Sequence, residues 1–429
     1  MSKSKPYSPA QIGSSQPSFA ALRHSGYRWF FAGNALAMLA DNIEHVISYW
    51  LIFEKFQSPA LAGFAVIAHW IPFLLFSIWA GALADKYDPR RVIQWGMYLF
   101  MFVTVTWGIL FITDSLAIWH AAVLLILHGL AGVFWGPAAQ MMIHDIVGPR
   151  ELQSGVRLMA TARTLGILMG PAIGGGLMLW LGPAWALIIN AMIYIPIVLW
   201  LWQAPYGPNF REQPEDTPKL ELRGLSDISD TIKSVLKHRI IISMTLLAGG
   251  ASLFVGNAHH AQMPEFTLAL VPGDDGSFYA ILLTASGIGA LAAGIILESR
   301  SLLEANARTT FILVFLWCLM IIGFAISNNP YAALALLFFA GFMELTYNSM
   351  AQTLVQLHSP PRMRGRVIGL YSMSSLGLKA FSGITVGVGG AIAGIHWSLG
   401  ISAASLLAFT TLLIFFTRRI NSQTSEENK

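Results

Sequence analysis

Twelve apolar runs of about twenty residues each divide this chain into six, a polar linker and six more, and a soluble core has no room for so many. They lie at about 29–53, 60–84, 92–113, 117–142, 156–180 and 183–203, then at about 240–262, 277–298, 309–327, 331–355, 367–393 and 397–417. A helix rises roughly 1.5 Å per residue, so each run matches the hydrocarbon core of a bilayer, about 30 Å thick. Only 11% of the 429 residues are charged and 55% are hydrophobic, whereas a soluble chain is about 25% charged. With a mean hydropathy of +0.60, the polar surface of a soluble enzyme, a disordered chain or a fibre cannot be built. The sequence predicts an all-α integral membrane protein: twelve transmembrane helices in two pseudo-symmetric six-helix bundles.

The expected organisation is a cytoplasmic tail over 1–28, a six-helix bundle over 29–203, a cytoplasmic linker over 204–238, a second bundle over 239–417 and a cytoplasmic tail over 418–429. The linker holds Pro205, Pro208, Pro214 and Pro218 and a mixed charge set, with a surface helix near 226–238. The polar first 28 residues carry Pro6, Pro9 and Pro17, and no cleaved signal peptide is expected. The single cysteine, Cys318, excludes a disulfide within the chain.

A formal net charge of +4 matters here through its placement. With the N-terminus in the cytoplasm, the basic loop and tail residues, from Lys3 through Lys86, Arg90, Arg91, Arg150, Arg300, Arg308 and Arg362 to Lys429, fall inside, and Lys55 alone falls outside. The lipid bilayer is the expected partner, and nucleic acid is not. The halves also repeat. Ala139-Gln140 matches Ala351-Gln352 and Pro149-Arg150 matches Pro361-Arg362, each 212 residues on; Gly129 and Gly341 share that offset, as do Gly175 and Gly387. Gly81…Asp85 and Gly294…Glu298 differ by 213. A duplicated six-helix unit is typical of transporters, whose substrate site lies near the midplane between repeats.

The loop after the second run reads Gly81-Ala82-Leu83-Ala84-Asp85-Lys86-Tyr87-Asp88-Pro89-Arg90-Arg91. Gly81 lets two helices approach closely, Asp85 is placed to pair with a base or cap a neighbouring helix, and Lys86, Arg90 and Arg91 hold the loop inside. This pattern resembles the major facilitator superfamily, and the resemblance covers the whole chain. It implies the twelve-helix fold of that superfamily and a loop that latches the two halves in the outward-facing state. Asp88 stands where that family usually has Gly, and Pro89 where it has a base, so the turn should differ. Arg364-Gly365-Arg366, before the eleventh run, also resembles the superfamily; positive-inside charge alone explains it as well.

In the fifth run, Gly166, Gly170, Pro171, Gly174 and Gly175 form a small-residue stripe with a bend. The stripe resembles the antiporter motif of drug/proton exchangers, which implies export; a generic packing face is the plainer reading. The Asp-Lys-Tyr-Asp loop and the Pro-Arg-Glu-Leu at 149–152 resemble the enterobactin and macrolide exporter branch, the transmembrane secretion effectors. That branch implies a monomer in a bacterial inner membrane, with an amphipathic small molecule (a siderophore or drug) and protons as partners. A lipid or metabolite translocator of the same fold is the alternative, and after it an integral-membrane enzyme or a sensor.

Ionisable residues within apolar runs are costly unless they have a partner or a water path. Asn34, Asp41, His45 and Ser48 share one helical stripe, and Glu44 lies beside it. Asp41 is the first candidate for proton coupling or cation binding, Glu44 the second and His45 their modulator; a hydrogen-bonded structural cluster is the plain alternative. Arg163 either snorkels to the cytoplasmic face or binds an anionic group in the cavity. Glu344 and Lys379, in neighbouring helices, form an internal ion pair or touch substrate. Trp70, Trp135 and Tyr347 are candidates to line the cavity. His69, His128, His259 and His260 lie at membrane depth, but adjacent histidines point about 100° apart on a helix, so no metal site is expected. No cofactor is expected either. With no Gly-Lys-Ser/Thr phosphate loop and no His-Glu-x-x-His pattern, neither ATP drive nor an enzyme is indicated.

Overall fold

The computed structural model describes residues 17–56, 59–207, 210, 225–256, 263–273, 277–300, 302–382 and 389–427. His259 and His260 lie outside them. The first half comprises α1 (Ser25–Phe56), α2 (Pro59–Lys86), α3 (Pro89–Ile112), α4 (Ile118–Leu181), α5 (Pro183–Met192) and α6 (Ile195–Gln203). A short α7 (Leu225–Val235) lies in the linker. The second half follows as α8 (Arg239–Phe254), α9 (Met263–Leu270), α10 (Ser277–Ser299), α11 (Ala307–Ile326), α12 (Pro330–His358), α13 (Arg364–Ser372), α14 (Lys379–Ser382), α15 (Gly389–Ala393) and α16 (Ile395–Glu427). Among the described residues, eight stretches are long and apolar enough to cross a membrane, with two expected spans fused in α4. Large apolar side chains such as Leu179, Trp180, Phe102 and Leu412 face outward, as lipid-facing surfaces require.

Local chemistry explains several boundaries. Asp88 caps α3 by accepting the Arg90 backbone N–H at 3.0 Å, with Pro89 in the first turn. Asn329 does the same for α12, accepting from Tyr331 and Ala332. The fourth and fifth runs differ from expectation: helix persists through the polar stretch between them and breaks only at Gly148, whose φ of 69° precedes Pro149. That left-handed turn suits glycine. The sixth run divides between α5 and α6, next to Pro196, which has no N–H to donate. The eleventh is interrupted by a π turn over Met373–Gly377.

Each half has its own apolar core. Tyr27, Phe30, Met97, Phe100, Met142 and Tyr194 pack in the first, where the Phe100 and Tyr194 rings stack with centroids 5.4 Å apart. Met244, Leu247, Trp317, Cys318, Phe324 and Met350 pack in the second. The halves meet most closely where α2 crosses α13. Gly81 faces the Gly365 carbonyl and Gly369 faces the Ser77 carbonyl, so that any Cβ at these glycines would strike backbone.

Candidate functional site

Inside the first half, one imidazole lies between two carboxylates. His128, on α4, is 4% exposed; its Nδ1 lies 2.7 Å from Glu44 Oε2, and its Nε2 lies 3.0 Å from Asp41 Oδ1. Glu44 lies three positions after Asp41 on α1, so both acids reach the same ring. His45 follows one turn on. Its Nδ1–H donates to the Asp41 carbonyl at 2.7 Å, which leaves Nε2 as an acceptor. That nitrogen lies 3.1 Å from Nδ1 of His69, on α2. The three imidazoles are mutual neighbours, with His128 centred 4.5 Å from His45 and 5.7 Å from His69. Tyr49, Trp70 and Phe100 close around them. Such a set can pass a proton, hold a cation or bind a metal ion.

From this cluster, charge continues into the second half. Arg163, on α4, is half-buried and interacts electrostatically with Asp41 and with Glu344 of α12. Lys379, at the start of α14, interacts with Arg163 and Glu344, and its Nζ sits 5.3 Å above the Trp70 ring, a cation–π distance. Asn34 is elsewhere. Its carboxamide accepts the Trp135 indole N–H at 2.8 Å and donates to the Phe30 carbonyl, deep in the core. Trp135 and Tyr347 are themselves buried, and Trp70 lies against His69 and Lys379.

At the end of the molecule carrying the basic loops, the halves are bonded together. Asp85 Oδ1 and Oδ2 accept the backbone N–H groups of Gly365 (2.6 Å) and Arg366 (2.9 Å), capping α13 across the interface. Its repeat-mate Glu298 reaches the other way, to Ser154 and Arg157 on α4. Arg157 also donates to the Leu297 carbonyl at 2.7 Å, and Gln140 accepts from Gln356 at 2.9 Å. The rest of the first-half loop stays local. Arg90 pairs with Asp88 and donates to the Ala204 carbonyl, Arg91 donates to Gln94, and Lys86 lies over Tyr87. Asp88, in the place of the family glycine, has recruited Arg90 to itself.

The glycine stripe of α4 packs on α1. Gly166 faces the Met38 backbone, Gly170 faces Asn42 and Gly174 faces Ile43, whereas Gly175 faces open space. Pro171 is exposed on the far side. The stripe thus seats α4 against the helix bearing Asp41 and Glu44. Sequence reasoning left His69, His128, Ser154 and Arg157 without roles. Their signal was present for the histidines, as polar residues in apolar runs, but their partners are remote in sequence.

A family model described as "Transmembrane secretion effector" matches residues 16–429. The staphyloferrin A transporter of Staphylococcus aureus is 22% identical over 411 residues, covering 94% of this chain and 98% of that protein. The enterobactin exporter EntS of Salmonella choleraesuis is 25% identical over 350 residues, 78% of each. Among solved structures, the E. coli fucose:proton symporter FucP superposes with a TM-score of 0.72 at 13% identity, over 91% of this chain and 98% of that one. The fold is that of the major facilitators.

Proposed function

The chain belongs to the transmembrane secretion effector family, and from that premise we propose that it exports an amphipathic small molecule, a siderophore or drug, in exchange for protons. It is an integral membrane transporter of the siderophore-exporter type and not an enzyme. In this reading the bundles at 29–203 and 239–417 rock about a central site as monomers of the bacterial inner membrane, with both termini and the 204–238 linker cytoplasmic. The observation supporting it is the electrostatic coupling of Asp41 and Arg163 in the first half with Glu344 and Lys379 in the second, all within apolar runs. Charges are kept there, at a cost, where they serve a pathway. Asp41 and Glu44 hold a proton or a cationic group of the substrate, and His45 adjusts them. Arg163 and Lys379 hold an acidic group. Asn34 acts at one remove, by fixing Trp135. Gly81, Asp85, Lys86, Arg90 and Arg91 form the gate, and Gly166, Gly170, Pro171, Gly174 and Gly175 shape the antiporter-like helix.

The test is counterflow and gradient-driven uptake of siderophores and amphipathic dyes by inside-out vesicles with an imposed pH gradient. Uptake should follow the gradient in the wild type, and Asp41→Asn should retain counterflow but lose the gradient dependence. Uptake indifferent to the gradient in wild type and variant alike overturns proton exchange.

A further inference from the structure

We propose that His45, His69 and His128 form a binding site for a divalent late transition metal ion of the zinc type, held among α1, α2 and α4. One ligand nitrogen from each ring lies within 4.8 Å of the other two. The closest pair, His45 Nε2 and His69 Nδ1, is 3.1 Å apart. Two imidazoles on one tetrahedral zinc, at about 2.0–2.1 Å each, place their nitrogens about 3.3 Å apart, so this pair already has the separation a shared ion needs, and the third ring closes in from within 4.8 Å.

The surroundings match a metal site in a second way. Metal-bound histidines usually give their other N–H to a backbone carbonyl or a carboxylate, which fixes the tautomer. His45 does this already: its Nδ1–H goes to the Asp41 carbonyl, and its Nε2 accepts from His69 Nδ1, whose proton leaves when an ion takes its place. His128 has a carboxylate at each nitrogen, Glu44 at 2.7 Å and Asp41 at 3.0 Å. Whichever nitrogen turns to the ion, the other keeps an acid behind it, and the displaced acid is free to complete the coordination. Two carboxylates also offset the charge of a divalent cation at membrane depth, where an unpaired charge is prohibitive. Imidazole donors select zinc, copper, nickel or cobalt over magnesium and calcium, which prefer all-oxygen shells.

The proposal concerns binding and holds whichever substrate or gradient drives transport. The experiment uses the full chain in lipid nanodiscs, treated with chelator and then titrated with Zn²⁺ by calorimetry and with Co²⁺ by visible absorption. The wild type should bind one ion per chain and give the intense absorption of tetrahedral cobalt. His69→Gln should weaken Zn²⁺ binding by about 100-fold or more, since loss of even an outer partner of a metal ligand costs 10–100-fold. Glu44→Gln should weaken it within that 10–100-fold range. Should His69→Gln fail to fold, His45→Gln serves in its place, and the rise in wild-type melting temperature with Zn²⁺, absent with Mg²⁺, is an independent readout. Equal Zn²⁺ affinity in the wild type and both histidine variants, or an octahedral cobalt spectrum, overturns the site. A wild type that binds no Zn²⁺ yet keeps gradient-driven export would strike this proposal alone. Intact binding with gradient-independent export would strike only the exchange reading.

Discussion

Arg157 Nη1 lies 3.3 Å from Glu298 Oε2, and both side chains are at least 96% buried, so the ion pair joins the two halves of the protein away from solvent. It is the mirror of the Asp85 contact. In one direction an acid at the end of α2 caps α13; in the other, the equivalent acid at the end of α10 binds the second segment of α4. The duplicated unit has used the same acidic position twice, once to hold backbone N–H groups and once to hold a guanidinium.

Breaking a buried pair by removing one partner typically costs about 3–5 kcal/mol, because the other charge stays buried. Glu298→Gln should therefore weaken the closed arrangement at this end more than Arg157→Met combined with Glu298→Leu. The measure is labelling of a cysteine placed at Gln140 by a membrane-impermeant maleimide, in a Cys318→Ser background. Labelling from the side bearing the basic loops should rise in the single variant and rise less in the double. If Glu298→Gln leaves the rate unchanged, the pair does not hold the halves together.

Close helix approach gives a sharper contrast. A methyl at Gly81 strikes the Gly365 carbonyl, whereas at Gly175 it meets nothing within 4 Å. Gly81→Ala should separate α2 from α13, lower the melting temperature and cut transport by about tenfold or more, the cost of overpacking being roughly 1–3 kcal/mol. Gly175→Ala should stay within about 0.5 kcal/mol of the wild type. A transport assay on both, with matched expression, decides the matter; equal effects would remove the crossing from the explanation.

The architecture was legible because its causes are local. Run length and the charge of each loop are properties of short segments, and the acids at Asp41 and Glu44 announce themselves by sitting in an apolar run. The cluster around them was not legible. His69 meets His45 only because α2 and α4 pack on α1, and the glycine stripe that seats α4 is written far from any histidine. Helical spacing placed Asn34 on the Asp41 stripe correctly, yet two turns of helix put it opposite Trp135 in a different environment. Between the fourth and fifth apolar runs helix continues up to Gly148, because polar residues mark where the apolar run ends and not where the helix does.

Asn34 provides the next prediction. Asn34→Leu strands the buried Trp135 indole N–H, at a cost of about 1–3 kcal/mol. The melting temperature should fall, and the dependence of uptake on the pH gradient should remain. Asp41→Asn should do the reverse, changing the gradient dependence with little change in melting. Were Asn34→Leu to abolish the gradient dependence at unchanged stability, Asn34 would belong with Asp41 in the coupling path.

Arg163, Glu344 and Lys379 can be separated into structural pair and substrate contact by the pattern of their losses. In a purely internal pair, removing one partner strands the other, so Glu344→Gln should harm folding more than Glu344→Gln combined with Lys379→Gln. In a substrate site the double variant recovers nothing, because the groups act on the transported molecule. Lys379 sits over the Trp70 ring of the first half and is coupled electrostatically to Arg163 and Glu344, and in the proposed reading it meets the acidic group of the substrate. Lys379→Gln is therefore expected to raise the KM for acidic substrates by about tenfold, the equivalent of roughly 1.4 kcal/mol, and to leave neutral dyes unaffected. Concentration-dependent uptake of an acidic and a neutral substrate by the same vesicles measures this directly. A uniform loss for both, restored by the double variant, would assign the three residues to the scaffold.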